Sequence, residues 1–254
     1  MKKMLLTLSI VFMTISMSYA QFRASLGYEL SLPSNQMALN IGAIHNFKIE
    51  GLVKMPHNRW AFGMDLGIGG YGSKRDPIVF TQGNTTTNTF VNVTNMVYSF
   101  KGLAQADLFS ENKKFMPYFH SGFGMTFFST ELRVDDPQDV DACRPLQQET
   151  LKSDQTWLAS AGLGVRWQPN TGCGSFYLDL RATQNLGGNL SYMSLNPPTG
   201  ATHNHANNGG FDGTPVNVNF VNTQNNLIHQ HRVGTIYNSA VSYWGLQLQF
   251  GLRF

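Results

Sequence analysis

Between residues 241 and 254, large apolar side chains occupy every second position. Trp244, Leu246, Leu248, Phe250, Leu252 and Phe254 alternate with Tyr243, Gly245, Gln247, Gln249, Gly251 and Arg253. Successive side chains of a strand point to opposite faces, so this segment is a strand with one oily and one wet face. Trp244 and Phe254 lie ten positions apart on the oily face. At a tilt of about 40°, ten strand residues rise about 25 Å, the height of the lipid-facing band of a barrel that crosses a membrane.

Seven earlier stretches carry the same two-residue repeat: 22–32, 46–55, 59–71, one ending near residue 109, 115–133, the stretch around 157–167, and 175–193. In the third, Trp60, Phe62, Met64, Leu66 and Ile68 alternate with Ala61, Gly63, Asp65, Gly67 and Gly69. Trp157 and Trp167 repeat the ten-residue aromatic spacing. The connections alternate in length. Short turns at 55–59, 109–115 and 168–175 carry turn formers such as Pro56, Asn112 and Pro169, whereas 32–45, 72–90, 134–154 and 194–239 are long and polar. The pattern predicts an all-β fold, an eight-stranded antiparallel up-and-down transmembrane β-barrel. Its short turns and both termini face the periplasm, and its long loops face outside.

Composition agrees with strands in lipid. Charged residues make up 13% and aromatics 12%, and Gly is plentiful at 25. After residue 20 no apolar run approaches the roughly 18 residues of a spanning helix. Residues 1–20 read as a signal peptide: Lys2 and Lys3, an apolar run, then Ser18 and Ala20 before the cut. Residues 21–254 form the single barrel domain. Removing the two lysines takes the net charge from +3 to +1, a balance that gives no support to nucleic-acid binding. Cys143 and Cys173 fall at opposite ends of a spanning strand in this topology and read as unpaired.

A last strand running through Leu248, Phe250 and Leu252 to a terminal Phe254 resembles the insertion signal of bacterial outer-membrane barrels. The match covers nearly the whole mature chain, which resembles the small porin-family and outer-membrane-protein-A-type barrels, nearest to those of Bacteroidota. The resemblance implies an integral protein of the Gram-negative outer membrane, with outer-membrane lipid and, during insertion, the barrel assembly machinery as partners. The family's frequent peptidoglycan-binding domain has no counterpart here, so cell-wall tethering is not implied. One scaffold serves many functions in such families, so activity must be argued from residues.

Inward parity gathers Arg23, Lys48, Lys54, Lys101, Arg166, Arg181 and Arg253 with Glu29, Glu50, Asp65, Asp107 and Asp179. An eight-stranded barrel is just wide enough for side chains to fill, so these charges pair into a plugging lattice or leave a narrow hydrated path for ions and small solutes. The first reading is favoured. It makes the chain a structural or surface-binding barrel whose outer loops meet an extracellular or envelope protein or glycan, and a porin-like passive channel is the alternative.

A lipid-modifying enzyme is less favoured, and no cofactor is expected. His120 and Ser121 are adjacent and therefore point to opposite faces, and Asp135-Asp136 reads as an acidic loop start. In the last loop, His203 and His205, and His229 and His231, are spaced to share strand faces, a geometry usable for Zn²⁺ or Cu²⁺. They meet if a continuous hairpin sets His203 opposite His231 and His205 opposite His229. The same register sets Leu190 opposite Trp244 and Leu180 opposite Phe254. Within this loop 215–221 alternates like a further strand, and with 78–80 is expected to extend strands above the membrane.

Overall fold

Among the described residues of the computed structural model, nine strands and one short helix follow in order: β1 (Gln21–Pro33), α1 (Asn35–Ala38), β2 (Ile44–Lys54), β3 (Trp60–Gln82), β4 (Thr85–Asp107), β5 (Phe115–Val134), β6 (Gln147–Trp167), β7 (Phe176–Ser194), β8 (Thr214–Asn222) and β9 (Leu227–Arg253). The structure describes residues 21–56, 58–82, 85–109, 114–136, 145–169, 175–195, 213–222 and 227–254. The signal segment, Cys143, Cys173, His203 and His205 lie outside the described residues.

Each strand from β1 to β6 pairs antiparallel with the next, β7 pairs with β9, and β9 returns to β1. The closing register runs from Arg23 opposite Arg253 to Pro33 opposite Tyr243. Closure gives the strands neighbours on both sides, which a backbone surrounded by hydrocarbon requires. Eight strands therefore make the wall, and β8 is additional. It pairs with the upper half of β9 from Ile236 to Leu227, on the edge that β1 has left.

The alternation sorts side chains as the sequence predicts. Leu26, Ile49, Leu66, Phe100, Phe123, Leu163, Leu180 and Leu248 are exposed on the outer surface, while Arg23, Lys48, Asp65, Lys101, Arg166 and Arg181 are buried inside. Near the turn end Phe22 lies 6.2 Å from Phe254, Trp167 6.2 Å from Phe176, and Phe176 5.9 Å from Phe250, a cluster of rings on the outer surface.

Two expectations are corrected. The stretches 72–90 and 134–154 contain paired strand rather than polar loop alone: β3 and β4 pair as far as Gln82 opposite Thr85, and β5 and β6 as far as Val134 opposite Gln147. Above the band neither face meets lipid, so polar residues such as Ser73, Lys74 and Thr87 hide the strand repeat without preventing backbone pairing.

The β7–β9 register also differs. Leu180 faces Leu248 rather than Phe254, a displacement of six residues (254 − 248), and Leu190 faces Ser239. An even displacement preserves which face each residue takes, so the hydrophobic pattern cannot detect it. An irregularity between Leu186 and Asn189 also switches parity, which turns Leu190 from the outer face into the core. Finally, β9 pairs locally with β8, so His229 stands opposite Phe220 and His231 opposite Val218. The expected partners His203 and His205 lie outside the described residues.

Inside the wall, glycines make room for tyrosines. A Cβ on Gly164 would lie 2.3 Å from Cζ and Oη of Tyr118, and one on Gly251 would lie 2.2 Å from Cζ of Tyr177. Each ring therefore lies against bare backbone on a neighbouring strand. Gly102, on the outer face, would give its Cβ only an ordinary contact, 3.7 Å to the Phe123 carbonyl oxygen. Gly164→Ala is expected to displace Tyr118 and lower stability by about 1–3 kcal/mol through overpacking. Gly102→Ala is expected to stay within about 0.5 kcal/mol of wild type. Urea unfolding of the refolded barrel in lipid vesicles distinguishes them, and equal midpoints would contradict the packing assigned to Tyr118.

Candidate functional site

Lumen-facing positions from all eight wall strands supply a polar network, because every second residue of each strand points inward. Its centre is Arg181 on β7, whose Nη1 donates to Glu50 Oε2 at 2.8 Å, whose Nη2 donates to Glu50 Oε1 at 3.1 Å, and whose Nε donates to Tyr118 Oη at 2.9 Å. Glu50 belongs to β2, so this two-pronged bond crosses the barrel. Tyr118 Oη donates in turn to Asp179 Oδ1.

Around this strut the remaining charges divide into two groups. Toward the far ends of β3–β9, which form two arms beyond the barrel, Lys48 Nζ sits 3.0 Å from Asp65 Oδ1 and 3.9 Å from Glu29 Oε1, and Lys101 Nζ sits 3.8 Å from Asp65 Oδ1. Toward the turns, Asp107 gathers Lys54 at 2.8 Å, Arg166 at 3.4 Å and Arg23 at 3.8 Å. Arg166 also reaches Asp179 at 3.5 Å and donates to Gln105 Oε1 at 2.8 Å. Arg253 donates to Gln168 Oε1 at 3.4 Å. The twelve charged residues expected in the lumen are thus all buried, and all but Arg253 take part in an ion pair among the described residues.

Above the network the lumen becomes apolar, which the sequence reading did not anticipate. Ile44, Tyr71, Val97, Phe128, Leu158, Leu190, Tyr192, Val241 and Tyr243 come from seven strands around the wall and pack into one buried cluster with Ile41 and Met37. Met37 arrives from α1, which folds over the mouth: Ser34 N donates to the Ser242 carbonyl at 2.9 Å, and Asn35 Nδ2 donates to Ser242 Oγ at 3.1 Å. Asn40 Nδ2 donates to Tyr192 Oη at 2.9 Å. A further strut crosses here, from Asn95 Nδ2 on β4 to the Met193 carbonyl on β7 at 2.8 Å. The available signal was apolar residues at inward parity, Val97, Phe128 and Leu158, where a hydrated path would place polar ones.

Beyond this layer the wall splits into two sheets, β3–β6 and β7–β9–β8. They enclose a second apolar core of Ile78, Val91, Val93, Leu132, Val134, Met193, Leu195 and Val233. Where β6 and β7 no longer pair, Asp154 Oδ2 accepts from the Ser191 backbone N–H at 2.9 Å. On the outside, Asp135 joins Arg75 at 3.3 Å, Arg133 at 3.6 Å and Asn92 Nδ2 at 2.7 Å, and the Arg75 guanidinium lies 4.1 Å from the Phe90 ring centre. The arms are therefore packed and cross-braced.

The residues considered for hydrolysis are not brought together. His120 is buried in the lumen, whereas Ser121 takes the opposite face and donates to the Ala104 carbonyl at 3.5 Å. Asp135 is engaged by the arm cations already named. Among the described residues no group of three His, Cys, Asp or Glu side chains could hold a metal ion.

No protein-family model matches the chain, and no curated protein matches it. Among solved structures it is similar to Ail, the attachment invasion locus protein of Yersinia pestis, solved in complex with the heparin analogue sucrose octasulfate. The identity is 11%, with 92% of this chain and 99% of that one covered and a TM-score of 0.42. It is also similar to neisserial surface protein A, at 11% identity, 92% and 97% coverage and a TM-score of 0.40. The outer membrane protease OmpT of Escherichia coli matches at 8% identity, 92% and 96% coverage and a TM-score of 0.27.

Because the Glu50–Arg181 pair is buried, removing one partner leaves an uncompensated charge. Glu50→Gln is expected to lower stability by about 3–5 kcal/mol, and adding Arg181→Met is expected to recover part of that loss. A double-mutant cycle by urea unfolding checks this, and additive losses would contradict the direct pairing.

Proposed function

We propose that the chain is a non-conducting barrel of the Gram-negative outer membrane, which holds two cross-braced β-arms above the outer surface as a binding platform. The membrane placement is supported by the outer belt, in which residues such as Leu26, Phe47, Ile49, Phe123, Leu163 and Leu180 are exposed around the whole wall. Such a surface is stable against lipid tails and prone to associate in water. Gln21 at the start of β1, Phe254 and the strand ends Lys54, Trp60, Asp107, Phe115, Trp167 and Phe176 lie at the end away from the arms, which favours a periplasmic position for that end.

The observation that carries the non-conducting reading is the filled lumen: the Glu50–Arg181 strut, then the apolar layer sealed by Met37. A porin-like path needs continuous water, and packed side chains fill this layer, with the polar groups of Asn95 and Tyr192 bonded within the protein. The binding reading rests on the arms. They have a core of their own, and display Val79 and Phe90 on the outside beside the Arg75–Asp135 cluster. Rigid display lowers the entropic cost of meeting an extracellular protein or glycan.

Reconstituted in a planar bilayer, the protein is expected to give no steady conductance step, and a stable ion-selective step would favour the channel instead. Orientation is tested in a background with Cys143 and Cys173 replaced by serine. A membrane-impermeant maleimide is expected to label Val79→Cys in intact cells and Asn58→Cys only after the outer membrane is permeabilised. The reverse pattern would invert the barrel.

A further inference from the structure

The turn end of the lumen holds more positive charge than its own acids answer. Arg23 on β1 and Arg253 on β9 are direct cross-strand partners in the closing register. Inward-facing partners on adjacent antiparallel strands project side by side, and like charges placed so repel each other. Water cannot screen them well, because Arg23 is 2% exposed and Arg253 6% exposed.

Asp107 is the nearest acid, and it is already shared. It lies 3.8 Å from Arg23 while also meeting Lys54 at 2.8 Å and Arg166 at 3.4 Å. Asp179 is committed to Arg166, Arg181 and Tyr118. Among the described residues Arg253 meets no carboxylate, only Gln168 Oε1. On these two arginines, three guanidinium nitrogens are buried without a hydrogen-bond partner: Arg23 Nε and Nη1, and Arg253 Nε. The arm-side half of the network is balanced by contrast, with Lys48, Lys101 and Arg181 set against Glu29, Asp65 and Glu50.

From this arrangement we infer that Arg23 and Arg253, where β1 and β9 close the barrel, form a binding site for one small oxyanion of the phosphate or carboxylate class. Guanidinium groups present planar forks that match two oxygens of such an anion, and an ion between the two arginines turns their repulsion into shared attraction. The amide of Gln168 fixes one edge of the Arg253 fork and leaves its Nε to the ligand. The site lies at the opposite end of the lumen from the apolar layer and is independent of what the arms bind.

The test uses the refolded full-length mature barrel in neutral detergent. Its thermal unfolding is followed by near-ultraviolet circular dichroism while sodium phosphate or sodium acetate is titrated in at constant ionic strength against sodium chloride. A third arm adds a short-chain phosphatidic acid to the micelles, which separates a lipid headgroup from a free ion. The wild-type midpoint is expected to rise saturably with at least one of these. Arg253→Gln and Arg23→Gln are expected to lose the response, and Arg253→Lys, which keeps the charge without the fork, to need about tenfold more anion.

In chloride alone, Arg253→Gln is expected to unfold no earlier than wild type, because it removes a repulsion. An arginine that served only to hold the wall together would make that variant unfold earlier. Absence of any oxyanion response in wild type, or an equal response in both glutamine variants, would overturn the site. Two separate glutamine variants keep the test decisive if one fails to refold.

Discussion

In the membrane setting proposed for this barrel, a backbone amide surrounded by hydrocarbon has no solvent to bond with, and most features of this chain are consistent with that constraint. The wall strands need partners on both edges, which forces β9 back onto β1 and fixes a closed interior of eight-strand width. A cylinder this narrow leaves little room beyond its own side chains. Tyr118 over Gly164 and Tyr177 over Gly251 show how tightly that space is used, since the rings occupy the places where side chains would stand on the facing strands.

Confinement then governs the charges. An inward cation cannot retreat to water, so among the described residues all but Arg253 meet a carboxylate of another strand; Lys101–Asp65 and Arg166–Asp179 join neighbouring strands along the wall, and other bonds run across the barrel. Arg181 reaches Glu50 from β7 to β2, and Asp107 on β4 gathers cations from β1, β2 and β6. Pairs of this kind contribute modest net stability after desolvation but fix the arrangement strongly, because a wrong arrangement leaves a charge alone. The network thus acts as a set of cross-ties that hold the cylinder in one shape.

The two ends of that cylinder differ in kind. At the arm end the inward positions turn apolar, α1 inserts Met37, and the wall continues into two sheets around a second core. At the turn end the arginines accumulate next to the closing strand pair. Packing fills the lumen at one end, and positive charge gathers at the other.

Much of this was written in the residue alternation. The two-residue repeat established that the fold is β, that eight stretches face lipid on one side, and that Arg23, Lys48, Glu50, Asp107 and Arg181 point inward, since parity is a local property of a strand. Three things needed the tertiary structure. Register did, because a repeat of two cannot distinguish Leu180 opposite Leu248 from Leu180 opposite Phe254. The arms did, because once neither face meets lipid their strands lose the oily repeat that marks the wall. Pairing in the lumen did too: Glu50 and Arg181 are separated by 131 positions, and only barrel closure brings them within 2.8 Å. Which face a residue takes is decided by its neighbours in sequence, and whom it meets there by the circumference of the barrel.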